Sequence, residues 1–214
     1  MTPTSTPSPG RRVRNMRDKH ERIFRAAADL FAQQGFEAVS TSQVADRADV
    51  AAGTVFRYAS SKSELLLMVL NGDFRAAIDA GVAAAADIPD TAEAILAMVG
   101  PVLAYVDSDP ANGCSYQREL LFGVSGDRYR EEGLALVGDL EAHIAQRLID
   151  DADAHGLVSD PDRALLTARM IFGVVHLAIA GRSTHSYPDR DTIADVRTQI
   201  SVAVTGHLAV LDAA

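Results

Sequence analysis

Residues 40–58 read STSQVADRADVAAGTVFRY, and this stretch decides the fold. Ser40 is placed to cap a helix while Gln43, three residues on, reaches back to the cap, so Ser40-Thr41-Ser42-Gln43 forms a capping box. Val44, Ala45 and Ala48 then recur on one helical face. Asp49-Val50-Ala51 leaves room for nothing longer than a tight turn, and a second short helix is predicted from about Ala52 to Tyr58. Two short helices three residues apart are a helix-turn-helix.

Working outward, Ile23, Ala27, Leu30 and Phe31 place a firmer helix before the motif, with Gly35 where a left-handed C-cap belongs. After the motif, Ser61-Lys62-Ser63-Glu64 is a second capping box, opening a longer helix through Leu66, Val69, Leu70, Phe74 and Ile78. It ends towards a linker at Asp87-Ile88-Pro89. A third box, Asp90 to Glu93, starts a helix through Ile95, Met98, Val102 and Val106 that Pro101 should kink and Pro110 should stop. Helices follow over Ala111–Phe122, through Val137, Leu140, Ile144 and Leu148 to Gly156, from Asp160-Pro161 through an apolar stretch at Met170–Ala180, and through Ile193, Val196, Ile200, Val204, His207 and Leu211. The chain is read as all-α, with about nine helices. The predicted domains are a basic, disordered arm (1–19), a three-helix unit (20–66), a connecting helix and linker (67–89) and a larger helical domain (90–214).

Composition bounds the alternatives. Of 214 residues, 48% are hydrophobic and 23% charged, the balance of a globular chain. One cysteine, Cys114, leaves no internal disulfide and no Cys-based zinc site, and fits a reducing compartment such as the cytoplasm. Met1–Gly10, rich in Thr, Ser and Pro, lacks the apolar core of a secretory signal and is expected to be disordered. The longest apolar run, Met170–Ala180, is shorter than the roughly 20 residues that span a bilayer, so no membrane segment is expected. The formal net charge of −9 is unevenly spread. Residues 1–75 hold 11 Lys+Arg against 8 Asp+Glu, whereas residues 76–214 hold 9 against 21, so the two parts face different partners. Arg11, Arg12, Arg14, Arg17 and Lys19 form a basic run ahead of the first helix. Such a run either reaches phosphates or a minor groove or is simply a solvated tail.

The stretch Arg22–Leu66 resembles the DNA-binding domain of the tetracycline-repressor (TetR) family. Ala27–Gly35 (AADLFAQQG) with Phe36 is similar to that family's first helix and its exit, Val44-Ala45-Asp46-Arg47-Ala48 to its second, and Gly53-Thr54-Val55-Phe56 followed by Ser61-Lys62 to its recognition helix and the start of helix four. The resemblance implies a DNA-binding regulator: a repressor released from a palindromic operator by a small molecule, and a homodimer whose last two helices pair with their copies. Four positions depart from the family pattern. Asp49 stands for the usual turn glycine, at modest cost because Asp tolerates a left-handed backbone. Ala51 replaces a capping Ser, costing about 1 kcal/mol unless a phosphate or water takes the free amides. Phe56 replaces a Tyr and loses its hydroxyl, and Ala59 replaces a bulkier Phe.

Candidate DNA contacts follow from docking geometry, in which the second helix enters the major groove with its N-terminal residues towards the bases. These are Ala51, Ala52, Gly53, Thr54 and Arg57, flanked by Phe56. Thr54 offers a methyl to thymine and a hydroxyl to a base or phosphate. Gly53 either admits the backbone to the groove wall or serves tight helix packing. Arg57 suits a guanine edge or a phosphate. Tyr58 and Lys62 are expected at phosphates, as are Ser40, Thr41 and Ser42 at the second helix N-terminus, for which simple solvation is the alternative, and Arg11, Arg12 and Arg14 in the arm.

The residues after position 75 outnumber what a dimer interface needs, and a pocket is the economical explanation. Met98, Val102, Tyr105, Tyr116, Phe122, Leu140, Phe172 and His176 are its candidate lining, with ordinary core as the alternative for most. The expected ligand is largely apolar, with a group for His176 or a tyrosine. Six histidines (His20, His143, His155, His176, His185, His207) show no HExxH spacing, and Gly123–Gly126 is no phosphate loop, so neither enzyme, metal nor cofactor is expected. The competing reading is a helical small-molecule binding protein, or an enzyme, whose helix-turn-helix has lost DNA affinity; Ala51 and Ala59 favour it.

Overall fold

Among the described residues, 9–184 and 188–213, the computed structural model contains nine helices and no strand. The side chains of Pro9, Arg11, Arg12, Arg182 and Ser183 lie outside the description. The helices are α1 (Pro9–Gln34), α2 (Thr41–Arg47), α3 (Ala52–Val55), α4 (Lys62–Ala85), α5 (Thr91–Ser108), α6 (Pro110–Phe122), α7 (Arg128–Ala154), α8 (Pro161–Thr184) and α9 (Thr192–Asp212).

Their ends follow from local chemistry. Gly35 takes φ +76° and returns its amide to Phe31 O at 2.9 Å, closing α1. Ser40 caps α2 in a complete box, its Oγ accepting from Gln43 N while its own N donates to Gln43 Oε1 at 2.7 Å. The other two boxes are half formed. Ser61 Oγ accepts from Glu64 N at 3.0 Å, but the Glu64 carboxylate turns to Ser60 N. Asp90 accepts from Glu93 N at 2.8 Å, while Glu93 pairs with Arg197 of α9 at 3.0 Å. α5 runs on through Pro101. Asp160 accepts from Arg163 N, and Pro161 is the first residue of α8.

Two elements differ from expectation. α1 begins at Pro9, so residues 9–19 of the predicted arm are helical; residues 1–8 lie outside the described residues. Arg, Met and Lys are good helix formers, Pro suits the first helical position, and extending an existing helix needs no new nucleus. α3 is α-helical for four residues only, and Phe56–Tyr58 continue as turn. Gly53 and the β-branched Thr54 and Val55 are weak helix formers, and the chain must bury Ala59 immediately afterwards.

The first three helices and the start of α4 share a core of Ile23, Leu30, Phe31, Val44, Val55, Leu65 and Leu66, all essentially inaccessible. α4 continues into the larger bundle, where it packs most closely on α5. A Cβ at Gly81 would sit 2.0 Å from Met98 O, so only glycine permits this approach. α5 and α8 are both long and apolar enough to cross a membrane by length and composition, with 50% and 28% of their most apolar windows buried. α5 is enclosed by its neighbours, whereas α8 leaves Leu166, Met170 and Leu177 exposed along one side, and α9 adds Val202 and Val210. Between α8 and α9 the Thr167 hydroxyl donates to Arg163 O, so the buried His207 imidazole donates from Nδ1 to Thr167 Oγ1 at 3.2 Å. His207 Nε2 then has no partner among the described residues.

Candidate functional site

α2 and α3 carry the candidate DNA contacts. Ser40 and Ser42 are exposed at the start of α2, and Thr41 is half-buried beside them. Ala51, Ala52 and Gly53 are exposed at the start of α3, which lacks a side-chain cap. A Cβ on Gly53 would meet nothing within 4 Å, which removes the helix-packing alternative and leaves open space in front of the residue. Thr54 is half-buried; Phe56, 49% exposed, and Arg57 point outward at the exit of α3.

The turn between the two helices is held by a residue that the sequence pattern did not single out. Asp49 adopts φ +50°, the one non-glycine residue with positive φ among those described. From α1, Arg22 Nε donates to Ala48 O at 2.9 Å, and its Nη2 donates to Ala48 O, to Asp49 O and to Asp49 Oδ2. The carbonyls at the end of α2 carry partial negative charge, and a guanidinium fork satisfies several at once. An arginine on the polar face of an amphipathic helix has no distinguishing spacing, so no sequence signal could have found it.

Lys62 and Tyr58, both expected at phosphates, bond within the chain. Lys62 Nζ donates to Phe36 O at 2.9 Å and Glu37 O at 3.3 Å and lies 4.3 Å over the Phe36 ring. The chain turning out of α1 presents carbonyls with acceptor capacity to spare there, and an ammonium takes it up. The Tyr58 hydroxyl donates to Met16 O at 3.0 Å, fixing the first turns of α1 against the α3 exit. Along that helical extension Arg14 and Arg17 are exposed. The Arg11 and Arg12 side chains lie outside the described residues.

Six of the eight candidate pocket residues meet. Val102, Tyr105, Tyr116, Leu140, Phe172 and His176 line one apolar cavity of about 40 Å³ between α4, α5, α6, α7 and α8. Met98 is displaced to the α4–α5 contact at Gly81, and Phe122 is 75% exposed at the rim, its ring centroid 6.1 Å from that of His176. Each residue along a helix is rotated by about 100° from the one before, and a side chain's facing cannot be fixed by this periodicity alone when most of the helix is apolar. The cavity is far smaller than the several hundred Å³ usual for ligand sites. Gln117 and His176 also line an adjoining open cleft of about 530 Å³ with Cys114, Arg118 and Phe122.

Polar groups at the cavity are few and mostly satisfied. The Tyr116 hydroxyl donates to Asn71 Oδ1 at 2.8 Å and Tyr105 to Asp73 Oδ2 at 3.3 Å; burial pushes both phenols well above their ordinary pKa, so both stay protonated donors. Burial likewise holds the His176 imidazole below its ordinary pKa, and its buried Nδ1 has no hydrogen-bond partner among the described residues. Cys114 Sγ lies 3.8 Å from Ile179 O, a weak donor contact. Two asparagines missed by the hydrophobic pattern tie the parts together. Asn112 of α6 accepts from Phe36 N at 2.8 Å and donates to Phe31 O at 2.9 Å, and Asn71 of α4 donates to Tyr129 O at 2.8 Å.

Residues 23–69 match the family described as bacterial regulatory proteins, tetR family. The HTH-type transcriptional repressor KstR of Mycobacterium tuberculosis is 45% identical over 58 residues, 27% of this chain and 26% of that protein. The HTH-type transcriptional regulator TcmR of Streptomyces glaucescens is 34% identical over 90 residues, 42% of this chain and 38% of that one. The chain therefore aligns with about a quarter to two-fifths of the length of these curated relatives. Among solved structures, Thermus thermophilus FadR, a TetR-family transcriptional repressor in complex with lauroyl-CoA, superposes with a TM-score of 0.68 at 22% identity over 87% of this chain and 94% of that one, and shares the fold.

Proposed function

Residues 23–69 carry the domain of the tetR family of bacterial regulatory proteins, and from that premise we propose that the chain is a cytoplasmic, sequence-specific transcriptional repressor that a small apolar ligand releases from its operator. The observation that carries the reading is the exposed start of α3. Ala51, Ala52 and Gly53 present small side chains and open space, and Thr54 and Arg57 supply the base- or phosphate-directed groups behind them. Ser40, Thr41, Ser42 and Phe56 join this edge on the net-positive part of the chain, and Arg11, Arg12 and Arg14 are assigned to phosphates by their charge. Residues 20–66 act as the DNA-binding domain, residues 67–89 connect, and residues 90–214 sense ligand and dimerise.

Dimerisation is assigned to α8 and α9, because Leu166, Met170 and Leu177 form an exposed apolar stripe along one side of α8. A two-fold dimer also supplies the two recognition helices that a palindrome needs. The ligand site is the cavity beneath Tyr116 and His176, entered from the cleft past Phe122. An apolar molecule with one polar group for His176 Nδ1 fits walls of this chemistry, and seating it requires the cavity to widen.

The test is a mobility-shift assay with DNA flanking the coding gene, run over a salt series. Binding as a dimer, with log affinity falling steeply against log salt, is expected. Salt-insensitive binding, or none, overturns the repressor reading and favours the small-molecule binding protein whose helix-turn-helix has lost DNA affinity.

A further inference from the structure

Resting on the reading of the cavity as an effector site, we propose that a chain of hydrogen bonds and one ring contact, buried at Asn71 and more open beyond Tyr129, carries the state of the cavity to the helix-turn-helix. It starts at Tyr116, whose ring lines the cavity and whose hydroxyl donates to Asn71 Oδ1 at 2.8 Å. Asn71 Nδ2 donates to the Tyr129 carbonyl, 2.8 Å away, in the first turn of α7. The Tyr129 hydroxyl and His20 Nε2 of α1 share a hydrogen bond of 3.1 Å, whose donor follows the imidazole tautomer. The His20 ring meets Tyr58 edge-on with centroids 5.7 Å apart, and Tyr58 closes the path by donating to Met16 O.

The packing is built around this chain. Asn71, Tyr116 and Tyr129 are all at most 6% exposed, so along Tyr116, Asn71 and the Tyr129 carbonyl water does not replace a lost partner and each bond holds its neighbours to one arrangement. Asn71 joins α4 to both α6 and α7. Gly133 leaves the necessary space: a Cβ there would lie 2.9 Å from Asn71 Oδ1 and 3.3 Å from the Tyr116 hydroxyl. The same end of α7 meets the helix-turn-helix a second time, since Ser60 Oγ donates to Asp127 Oδ1 at 3.1 Å. The start of α7 thus touches the chain just after α3 directly and Tyr58 through His20.

A body entering a cavity of about 40 Å³ displaces the Tyr116 ring. Hydrogen bonds are directional, so Asn71 must follow or lose its partner, and following moves the Tyr129 carbonyl and the first turn of α7. The His20 bond then passes that movement to Tyr58.

Xenon, a nonpolar probe that enters dry apolar cavities, tests the path without a known ligand or operator. Spectra of the isotope-labelled full chain are recorded by NMR under xenon pressure. Xenon is expected to shift the Val102, Val106 and Leu120 methyls together with the Met16, His20 and Tyr58 amides. In Tyr129→Phe, which keeps the ring and removes the hydroxyl, the methyl shifts persist and the amide shifts at Met16 and Tyr58 are lost. Tyr116→Phe, cutting the path at its other end, has the same outcome. Amide shifts retained in both variants overturn the path and leave the cavity reading intact. Methyls that do not respond in the unsubstituted protein overturn the cavity reading, and the path with it.

Discussion

Replacing Arg22 of α1 with methionine should loosen the α2–α3 turn while keeping an apolar stem of similar length. The ion pair to Asp49 contributes little, because the Asp49 side chain is 98% exposed. The carbonyls of Ala48 and Asp49 matter more. Hydrogen bonds to a charged group contribute about 1.5–3 kcal/mol where shielded, and the 44% exposure of the Arg22 side chain reduces this to about 1–2 kcal/mol for the set. For a chain of this size that is a fall of about 2–8 °C in melting temperature. Thermal and urea unfolding at equal protomer concentration measure it, since the proposed dimer would make apparent stability depend on concentration. Asp49→Asn is the control, keeping a residue that tolerates positive φ and removing only the charge, with a change within about 0.5 kcal/mol. Arg22→Met melting with the unsubstituted protein would refute carbonyl capture. Equal losses in both variants would assign the effect to the ion pair instead.

Three further outcomes follow from side chains already described. Lys62→Met should lower stability by about 1–2 kcal/mol through the lost bonds to Phe36 O and Glu37 O and leave the salt slope of DNA binding unchanged; a slope shallower by about one would restore a phosphate role. Gly81→Ala places a Cβ against Met98 O and should cost about 3 kcal/mol in urea unfolding, whereas a neutral result would show that α4 and α5 separate freely. Burial, with Arg163 adding to it, holds the folded His207 pKa below its ordinary 6.5. The unfolded chain therefore takes the proton more readily, so this contribution is complete above about pH 6.5 and is lost as pH falls towards the folded value. Urea midpoints from pH 7.5 to 5.5 should fall less in His207→Gln, and parallel curves would exclude His207 as a source.

Elements were legible wherever a chemical rule acts within a few residues. The Ser40 box, the Gly35 and Gly156 ends with their positive φ, the left-handed Asp49 and the Asp160-Pro161 start all depend on local backbone. What the sequence could not disclose depends on the third dimension. Arg22 lies 26 residues from the carbonyl it bonds, and Asn112 lies 76 and 81 residues from its partners. Lys62 and Tyr58 look like free polar groups until the chain that folds beside them is known. Met98 and Phe122 fall outside the lining of the small cavity for a different reason: an apolar residue on a largely apolar helix fits a wall, a core or a rim equally well.

The buried Asn112 tie bears on how the molecule comes apart. Separating α1 from α6 breaks the bonds of Asn112 to Phe36 N and Phe31 O together and opens the shared core around them to water. No cheap intermediate exists in which the first three helices open alone, because α4 also runs unbroken through both parts. Calorimetric and van't Hoff enthalpies of the whole chain should therefore agree, as for a single cooperative unit. A fragment cut after residue 60 would lack both Asn112 and the α4 wall of its core. The small N-terminal bundle is separable in sequence but not in thermodynamics.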